Sequence, residues 1–463
     1  MMRSPTLGSS IPHFRASLDF VNHPPFDGAA RVRAMARSIP EGIAYAIMVG
    51  AGESFFIADA LRLGASPFEV GMVIALPLLA ASVGPLLVVR MLQRAVARRP
   101  LVAGSAFVQA LGLLAIAALN AAGNFTPTGL IGLMCVHQIC GQSAGVAWSS
   151  WYADVVPAQR RGAWFAMRTR FVQLAAFVGL LAGGGLLFLL ESEGATDGGE
   201  PALGFAAVFA LAGAARLISA VLLWKSPEPL ARPLASRSRF GRFLLTHDGR
   251  TVVRLLVGTM LFQAAVYVAS PFFTPFMLEG IELNYAEFTT ALAAVVVTKF
   301  VTLPVWGRCI DRFGARQTWC VALLLAAAVP IPWLVVGGPA GCWMAQAFSG
   351  LAWGGHEVAS ISLLIGSTRR SVRPQVLVAQ SMANAGVQFG GSMLGAAVVG
   401  AHAFTTAFAA SAVGRLVVAA GLVFAVRGVR RRDRTPVVLR VAGYRPGAGI
   451  THRPVDDPSD ANA

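Results

Sequence analysis

The chain has 463 residues, of which 56% are hydrophobic and only 13% charged, and it carries a formal net charge of +16. Soluble chains are about one quarter charged, so this composition excludes an ordinary multidomain soluble protein. Nucleic acid is excluded as the reason for the basic excess, because the arginines sit in short segments between apolar runs, where they orient helices in a bilayer.

Residues 1–42 contain Arg15, Asp19, Asp27, Arg31, Arg33 and Arg37 with no apolar core among them, and read as a cytoplasmic tail rather than a cleaved signal. Twelve apolar runs follow, each near the roughly 20 residues that a helix needs to cross a bilayer core. In the first set they lie near 43–62, 69–89, 101–121, 128–151, 171–190 and 204–224. A second set lies near 252–277, 288–306, 318–337, 341–365, 378–400 and 404–426. Each is expected to be helical, since only a helix pairs all its backbone groups within one segment in lipid. The expected layout is an all-α polytopic membrane protein with an N-terminal six-helix half over 43–224, a cytoplasmic central loop over 225–250 and a C-terminal six-helix half over 251–427. Segment 428–463 opens on Arg430, Arg431, Arg432 and Arg434 and turns rich in Pro, Gly and Asp, the composition of a disordered tail.

Loop charge sets an orientation. Arg90, Arg94, Arg98 and Arg99 follow the second run; Arg160, Arg161, Arg168 and Arg170 follow the fourth. Arg308, Arg312 and Arg316 follow the eighth, and Arg369, Arg370 and Arg373 the tenth. The alternate loops are acidic, with Glu191, Glu193, Asp197 and Glu200 in one and Glu279, Glu282 and Glu287 in another. Positive-inside bias then places both termini in the cytoplasm of a multi-pass protein of the cytoplasmic (inner) membrane. The halves repeat weakly: His137-x3-Gly141-x3-Gly145 is echoed by Gln346-x3-Gly350-x3-Gly354. Such duplication characterises secondary transporters whose site forms between halves near mid-membrane.

The loop after the eighth run reads Gly307-Arg308-Cys309-Ile310-Asp311-Arg312-Phe313-Gly314-Ala315-Arg316. It resembles the G-x-x-x-D-R-x-G-x-R signature of the major facilitator superfamily at every fixed position. The first half departs from it: Gln93 stands where Asp is expected, while Arg94 and Arg98 are kept. Asp154 to Arg161 resembles the acidic-x6-Arg pairing of the loop after the fourth span. The resemblance implies a twelve-helix transporter working by alternating access. In it Asp154 and Arg161, with Asp311 and Arg312, hold an inward gate, and spans 1, 4, 7 and 10 line the cavity. The alternative reading of these loop charges is that they only set topology. Span 5 is glycine-rich at Gly179, Gly183, Gly184 and Gly185 but lacks the Gly-Pro pair typical of drug–proton antiporters.

Ionisable groups at mid-bilayer cost roughly 2.5–3.5 kcal/mol on insertion scales and need a reason. Glu53, in the first span, is the candidate coupling or substrate-binding acid; Asp59 and Arg62 read as a local pair. His137 reads as a proton carrier or a packing histidine, and Gln138 and Gln142, four apart on one face, as solute contacts or interhelical bonds. Gln263 and Tyr267 lie mid-span in span 7, and Gln380, Asn384 and Gln388 form a polar stripe in span 11. His356 and Glu357, being adjacent, point about 100° apart, so one is expected to face the cavity and the other a neighbouring helix. Lys299 either snorkels to the interface or pairs with Glu53, Glu357 or an acidic substrate. The five cysteines form no CxxC pair and read as packing residues.

The sequence thus predicts a monomeric, non-enzymatic secondary transporter of a small organic solute, coupled to protons and bathed in membrane lipids, with no metal, cofactor or nucleic-acid partner. The competing readings are a drug or metabolite efflux antiporter and a non-transporting scaffold or sensor.

Overall fold

A computed structural model describes residues 27–94, 96–157, 161–197, 202–230, 246–367 and 373–426. Among these residues the chain is helical and forms no strand. Helix α1 spans Gly28–Arg62, α2 Pro67–Gln93, α3 Arg98–Ala121 and α4 Pro127–Val155. Helix α5 spans Arg161–Asp197, α6 Ala202–Trp224, α7 His247–Ala269 with a continuation to Gly280, and α8 Tyr285–Phe313. Helix α9 spans Ala315–Ala328 with a short turn at Pro332–Leu334, α10 Pro339–Ser367, α11 Arg373–Ala401 and α12 Phe404–Val426. Ten of these hold an apolar window long enough to cross a membrane among the described residues. Helices α10 and α11, of 29 residues each, complete the twelve.

The first helix begins well before the span expected from residue 43. Asp27 caps it by accepting from Ala30 N–H at 2.6 Å, and Ala30, Ala34, Ser38 and Glu41 are buried on its inner side. Arg31, Arg33 and Arg37 in that stretch lower its hydropathy and hide it from a hydropathy window.

Within the first half, α1 packs on α5 and α6, α3 on α4 and α6, and α2 on α4. Six helices later the scheme recurs: α7 on α11 and α12, α9 on α10 and α12, α8 on α10. The halves meet through α2 with α11 and α5 with α8, two contacts that exchange under the same shift. The register repeats as well. A Cβ on Gly179 would strike the Ile47 carbonyl and one on Gly183 would meet Ala51; a Cβ on Gly391 would strike the Ala264 carbonyl and one on Gly395 that of Val268. Glycine is what allows these α1–α5 and α7–α11 crossings. The first helix of each half also tightens to a 3-10 turn, at Glu53–Phe55 and at Ser270–Phe272. Offsets of 217 residues along α1/α7 and 212 along α5/α11 relate these matched positions.

One end of the bundle carries the α2–α3, α4–α5, α6–α7, α8–α9 and α10–α11 connections and is rich in arginine; the other is its acidic end. At the acidic end a single hydrophobic core crosses both halves and includes Phe55, Phe205, Phe209, Phe272, Phe288 and Phe408. Phe55 meets Phe288 edge-on at 6.3 Å, and Gly71 of α2 lies against Ser392, Met393 and Ala396 of α11. At the arginine end each half has its own core: Leu92, Trp151, Tyr152 and Leu223 in the first, and Phe262, Trp319, Leu323 and Leu422 in the second.

Arg415 of α12 is 1% exposed and holds the second half together through backbone oxygens. Its Nη1 donates to the Ala326 carbonyl at 3.3 Å and its Nη2 to the Val266 carbonyl at 3.0 Å. The Ala326 oxygen lacks its ordinary helical donor. Pro330, four residues after Ala326, has no N–H, and Val266 lies in the last turn of α7. A cation at two helix C-termini also opposes their dipoles.

Candidate functional site

In the first half the tightened turn after Gly52 begins with Glu53, whose Oε1 lies 3.0 Å from Nε2 of His137 on α4. Glu53 is partly exposed while His137 is buried, so the pair sits at the edge of the packed half. The His137 carbonyl accepts from Gln109 Nε2 of α3 at 2.9 Å. Gln109 Oε1 accepts from Arg216 of α6 twice, at 2.9 Å from Nε and 2.6 Å from Nη2. Arg216 Nη1 donates to Ser219 Oγ at 3.0 Å, and Ser219 donates to Glu41 Oε1 at 3.1 Å. The second oxygen of Glu41 accepts from Arg168 Nη2 of α5 at 3.0 Å. Arg168 also donates to Ser38 Oγ at 2.9 Å, and its guanidinium lies 4.3 Å over the ring of Trp148. A buried charge without a partner is strongly unfavourable, and here each charged group is answered by the next. The outcome is one continuous polar chain from Glu53 to Arg168.

The second half holds a different arrangement. Lys299 Nζ of α8 binds Glu357 of α10 with both oxygens, at 2.6 and 2.8 Å. Beside Glu357, a cavity of about 350 Å³ opens among α7, α9, α10 and α11. His356 borders it, packed against the rings of Phe262, Trp319 and Trp353 at centroid distances of 5.7, 6.3 and 5.5 Å. Ser360 lies 3.4 Å from His356 Nε2 and accepts from Trp319 Nε1 at 2.8 Å.

At the arginine end, Arg98 starts α3 and is 3% exposed. Its Nη1 binds Asp154 Oδ2 at 2.5 Å and the Ser150 carbonyl at 3.1 Å; its Nε binds Glu228 Oε1 at 3.2 Å. Glu228 also accepts the backbone N–H groups of Arg98 and Arg99 at 2.6 and 3.0 Å, so a carboxylate closes the positive end of α3.

The sequence-predicted residues are thereby sorted. Glu53 and His137 come together. Gln263, His356, Glu357 and Asn384 share the walls of the cavity, with Gln380. Both His356 and Glu357 border it, where one alone was expected, because Glu357 spans from the cavity edge to α8. Lys299 takes Glu357, and not Glu53, as its partner. Gln138 is half-buried and Gln142 exposed on α4, and Tyr267 packs into the core of the second half. Asp59 and Arg62 pair at 2.8 Å, and Asn120 Nδ2 of α3 joins them at 2.9 Å to Asp59.

Among the gate residues, Asp154 binds Arg98, and the side chain of Arg161 lies outside the described residues. Arg94, Asp311 and Arg312 are exposed; Arg312 rests 5.3 Å over Phe313. Gly314 adopts φ +89 between α8 and α9, a conformation that requires glycine, with Gly307 and Arg316 flanking the same turn. Sequence reasoning missed Glu41, Gln109, Arg216, Ser219 and Glu228, and treated Arg168 as a loop charge although it lies inside α5.

Residues 38–253 and 255–452 match the sequence model of the Major Facilitator Superfamily. No curated protein matches the chain in sequence. Among solved structures, the fold is similar to the nucleoside transporter NupG at 13% identity and TM-score 0.60, covering 86% of this chain and 99% of that one. It is similar to an auto inhibited POT family peptide transporter at 11% identity and TM-score 0.70, covering 87% and 98%. A bacterial homolog to the human lysosomal transporter Spinster, inward-facing and occupied, aligns at 13% identity and TM-score 0.62, covering 88% and 98%.

Proposed function

The chain belongs to the Major Facilitator Superfamily, and on that premise we propose that it is a proton-coupled secondary transporter of a small organic solute, working by alternating access. In this reading it lies in the cytoplasmic membrane with its arginine end and both termini in the cytoplasm, following the positive-inside bias. One observation carries the reading: the halves share a core at the acidic end and keep separate cores at the arginine end. A two-state transporter needs contacts between halves that can be made at one end and released at the other, and a solute shifts such an equilibrium only by binding the two states unequally. The solved neighbours, transporters named for nucleosides and peptides, support a small polar solute.

Glu53 and His137 supply the coupling. A proton on the pair changes its net charge at the boundary between packed helix and open space, which alters its bond to α4 and hence the α1–α4 packing. Gln109 and Arg216 hold the His137 backbone and act as positioning residues. The test is untargeted metabolite profiling of cells and medium, comparing cells that carry the protein, cells that lack it and cells carrying Glu53→Gln. The expected result is one compound that accumulates on one side of the membrane both without the protein and with the variant. Correctly inserted Glu53→Gln protein with an unchanged profile would remove Glu53 from coupling. Identical profiles in all three, across growth conditions, would replace transport with the scaffold reading.

A further inference from the structure

The halves treat one place in opposite ways. The 212-residue offset that relates Gly179 to Gly391 and Gly183 to Gly395 also relates Arg168 to Gln380 and Val172 to Asn384. In the first half that place is filled from within: the Arg168 guanidinium lies on Trp148 and donates to Ser38 and Glu41. In the second half the shorter, neutral Gln380 stands there, and the cavity of about 350 Å³ takes the place of the guanidinium. That volume lies within the range of small-molecule sites, roughly 300–1,000 Å³.

The walls state what would fill it. Glu357 is the one formally charged group among the lining residues. Asn384 lines the cavity, and its Oδ1 is buried with no hydrogen-bond partner among the described residues, an acceptor left unmatched. Trp353 and the almost wholly buried Trp319 add indole rings to the wall, and Thr259 and Gln263 add neutral oxygens. A ring, a carboxylate and a carbonyl oxygen are also the groups that hold Arg168 in the other half: Trp148, Glu41 and the Ser38 carbonyl, which accepts from Arg168 Nε at 3.1 Å. Cations with N–H donors bind such sets through charge-assisted hydrogen bonds and ring contact.

We propose that this cavity binds a small planar organic cation of the amidinium or guanidinium class, with its charge on Glu357 and an N–H on Asn384 Oδ1 beside Trp353. As the cargo of the transporter proposed above it rests on that reading; as a binding site it is testable without transport. Lys299 holds Glu357 from α8 in the structure. The incoming cation exchanges with this ammonium, so the carboxylate is never bare, and the exchange frees α8 from α10. Binding at the site is thereby linked to the contact between two helices of the second half.

The test is calorimetric titration of the full-length protein in detergent with benzamidine, its neutral isostere benzamide, and benzoate. Benzamidine is expected to bind, and the two others about tenfold or more weakly, the loss that follows from removing a charge-assisted bond. Glu357→Gln weakens benzamidine by about tenfold or more, and Asn384→Leu by a smaller factor. Lys299→Met tightens it, because the competing ammonium is gone, and Asn384→Asp tightens it as well. A gain in affinity cannot come from misfolding, so these two variants keep the test sound if Glu357→Gln folds poorly. The proposal is overturned if benzamidine does not bind, if benzamide binds equally, if Lys299→Met weakens benzamidine, or if benzoate binds more tightly than benzamidine and Lys299→Met abolishes it, which would indicate an anionic ligand. The two readings fail separately. A neutral or anionic cargo found by profiling, with Glu53→Gln inactive and no benzamidine binding, removes the cation site and keeps transport. Glu357-dependent benzamidine binding beside profiles that never change keeps the site and removes transport.

Discussion

Arg216 and Arg415 stand in the last helix of each half, and both are almost wholly buried. The first answers to side chains: Gln109, Ser219 and, through Ser219, Glu41. The second answers chiefly to the backbone, closing carbonyls at the ends of α7 and α9. Arg415 therefore acts as a cap that makes a broken helix tolerable in lipid. Arg216 acts as a wire whose far end is the Glu53–His137 pair. Each half thus buries a cation in its last helix and attaches it to different groups.

The largest effect is expected where the wire is cut at its acid. Glu41→Ala leaves Arg168 without its carboxylate in a buried site, and breaking such a pair costs about 3–5 kcal/mol. The thermal midpoint in detergent should fall sharply. The double variant Glu41→Met with Arg168→Met should recover much of the loss, since the unpaired charge goes with its partner. Equal loss in the single and double variants would show that packing, and not charge, holds this site.

Arg415→Met and Arg216→Met separate cap from wire. Each strands buried acceptors at about 1–3 kcal/mol, so their midpoints should fall by similar amounts. Transport should not follow the same pattern. Arg216→Met removes the donors that fix the Gln109 amide, whose other end holds the His137 carbonyl, and is expected to lower turnover out of proportion to stability. Arg415→Met protein that remains folded should keep its turnover. The comparison breaks if both variants lose turnover in step with stability.

How much of this was legible before the structure follows from the same residues. Twelve helices, the loop charges and the intramembrane Glu53, His137, Lys299 and Glu357 stand out because a polar group in an apolar run is visible against its neighbours. Arg216 and Arg415 are single charges in apolar helices of 23 residues, too diluted to stand out in a hydropathy window. A signal existed: Ser219 three residues after Arg216 and Ser411 four before Arg415 share a helix face with each guanidinium. Pro330 announces an orphan carbonyl at Ala326 in the same way. Glu41 falls within the tail expected over residues 1–42 because a hydropathy window sees residue type and not the side of a helix. The choice of Glu357 over Glu53 by Lys299, and of Arg98 by Asp154, depends on distances between helices that no local pattern encodes.

The contrast between the two ends of the bundle gives the next effect. Gly184 of α5 lies so close to Thr289 of α8 that an added Cβ would collide with it. Gly184→Val wedges that contact. Overpacking costs about 1–3 kcal/mol, charged here to the state closed at the acidic end, so the equilibrium should shift toward the opposite opening. Paired spin labels across the acidic end should then report a longer distance population than in the parent protein. An unchanged distance distribution with a lowered midpoint would mean that the α5–α8 contact is kept in both states.

The smallest effect is expected at the arginine end, and its size is informative. Asp154 is 52% exposed although Arg98, its partner, is 4% exposed. Solvent screens such a pair to roughly 0.2–1 kcal/mol, and Arg98 retains Glu228 and the Ser150 carbonyl when Asp154 is neutralised. Asp154→Asn should therefore change the midpoint little, whereas Glu228→Gln, which loosens both Arg98 and the first N–H groups of α3, should lower it more. If Asp154→Asn proves the more damaging, the closure of α3 depends on α4 and not on the segment after α6. The arginine end would then be held by the helices of the first half alone, and the connection between the halves would carry no part of the gate.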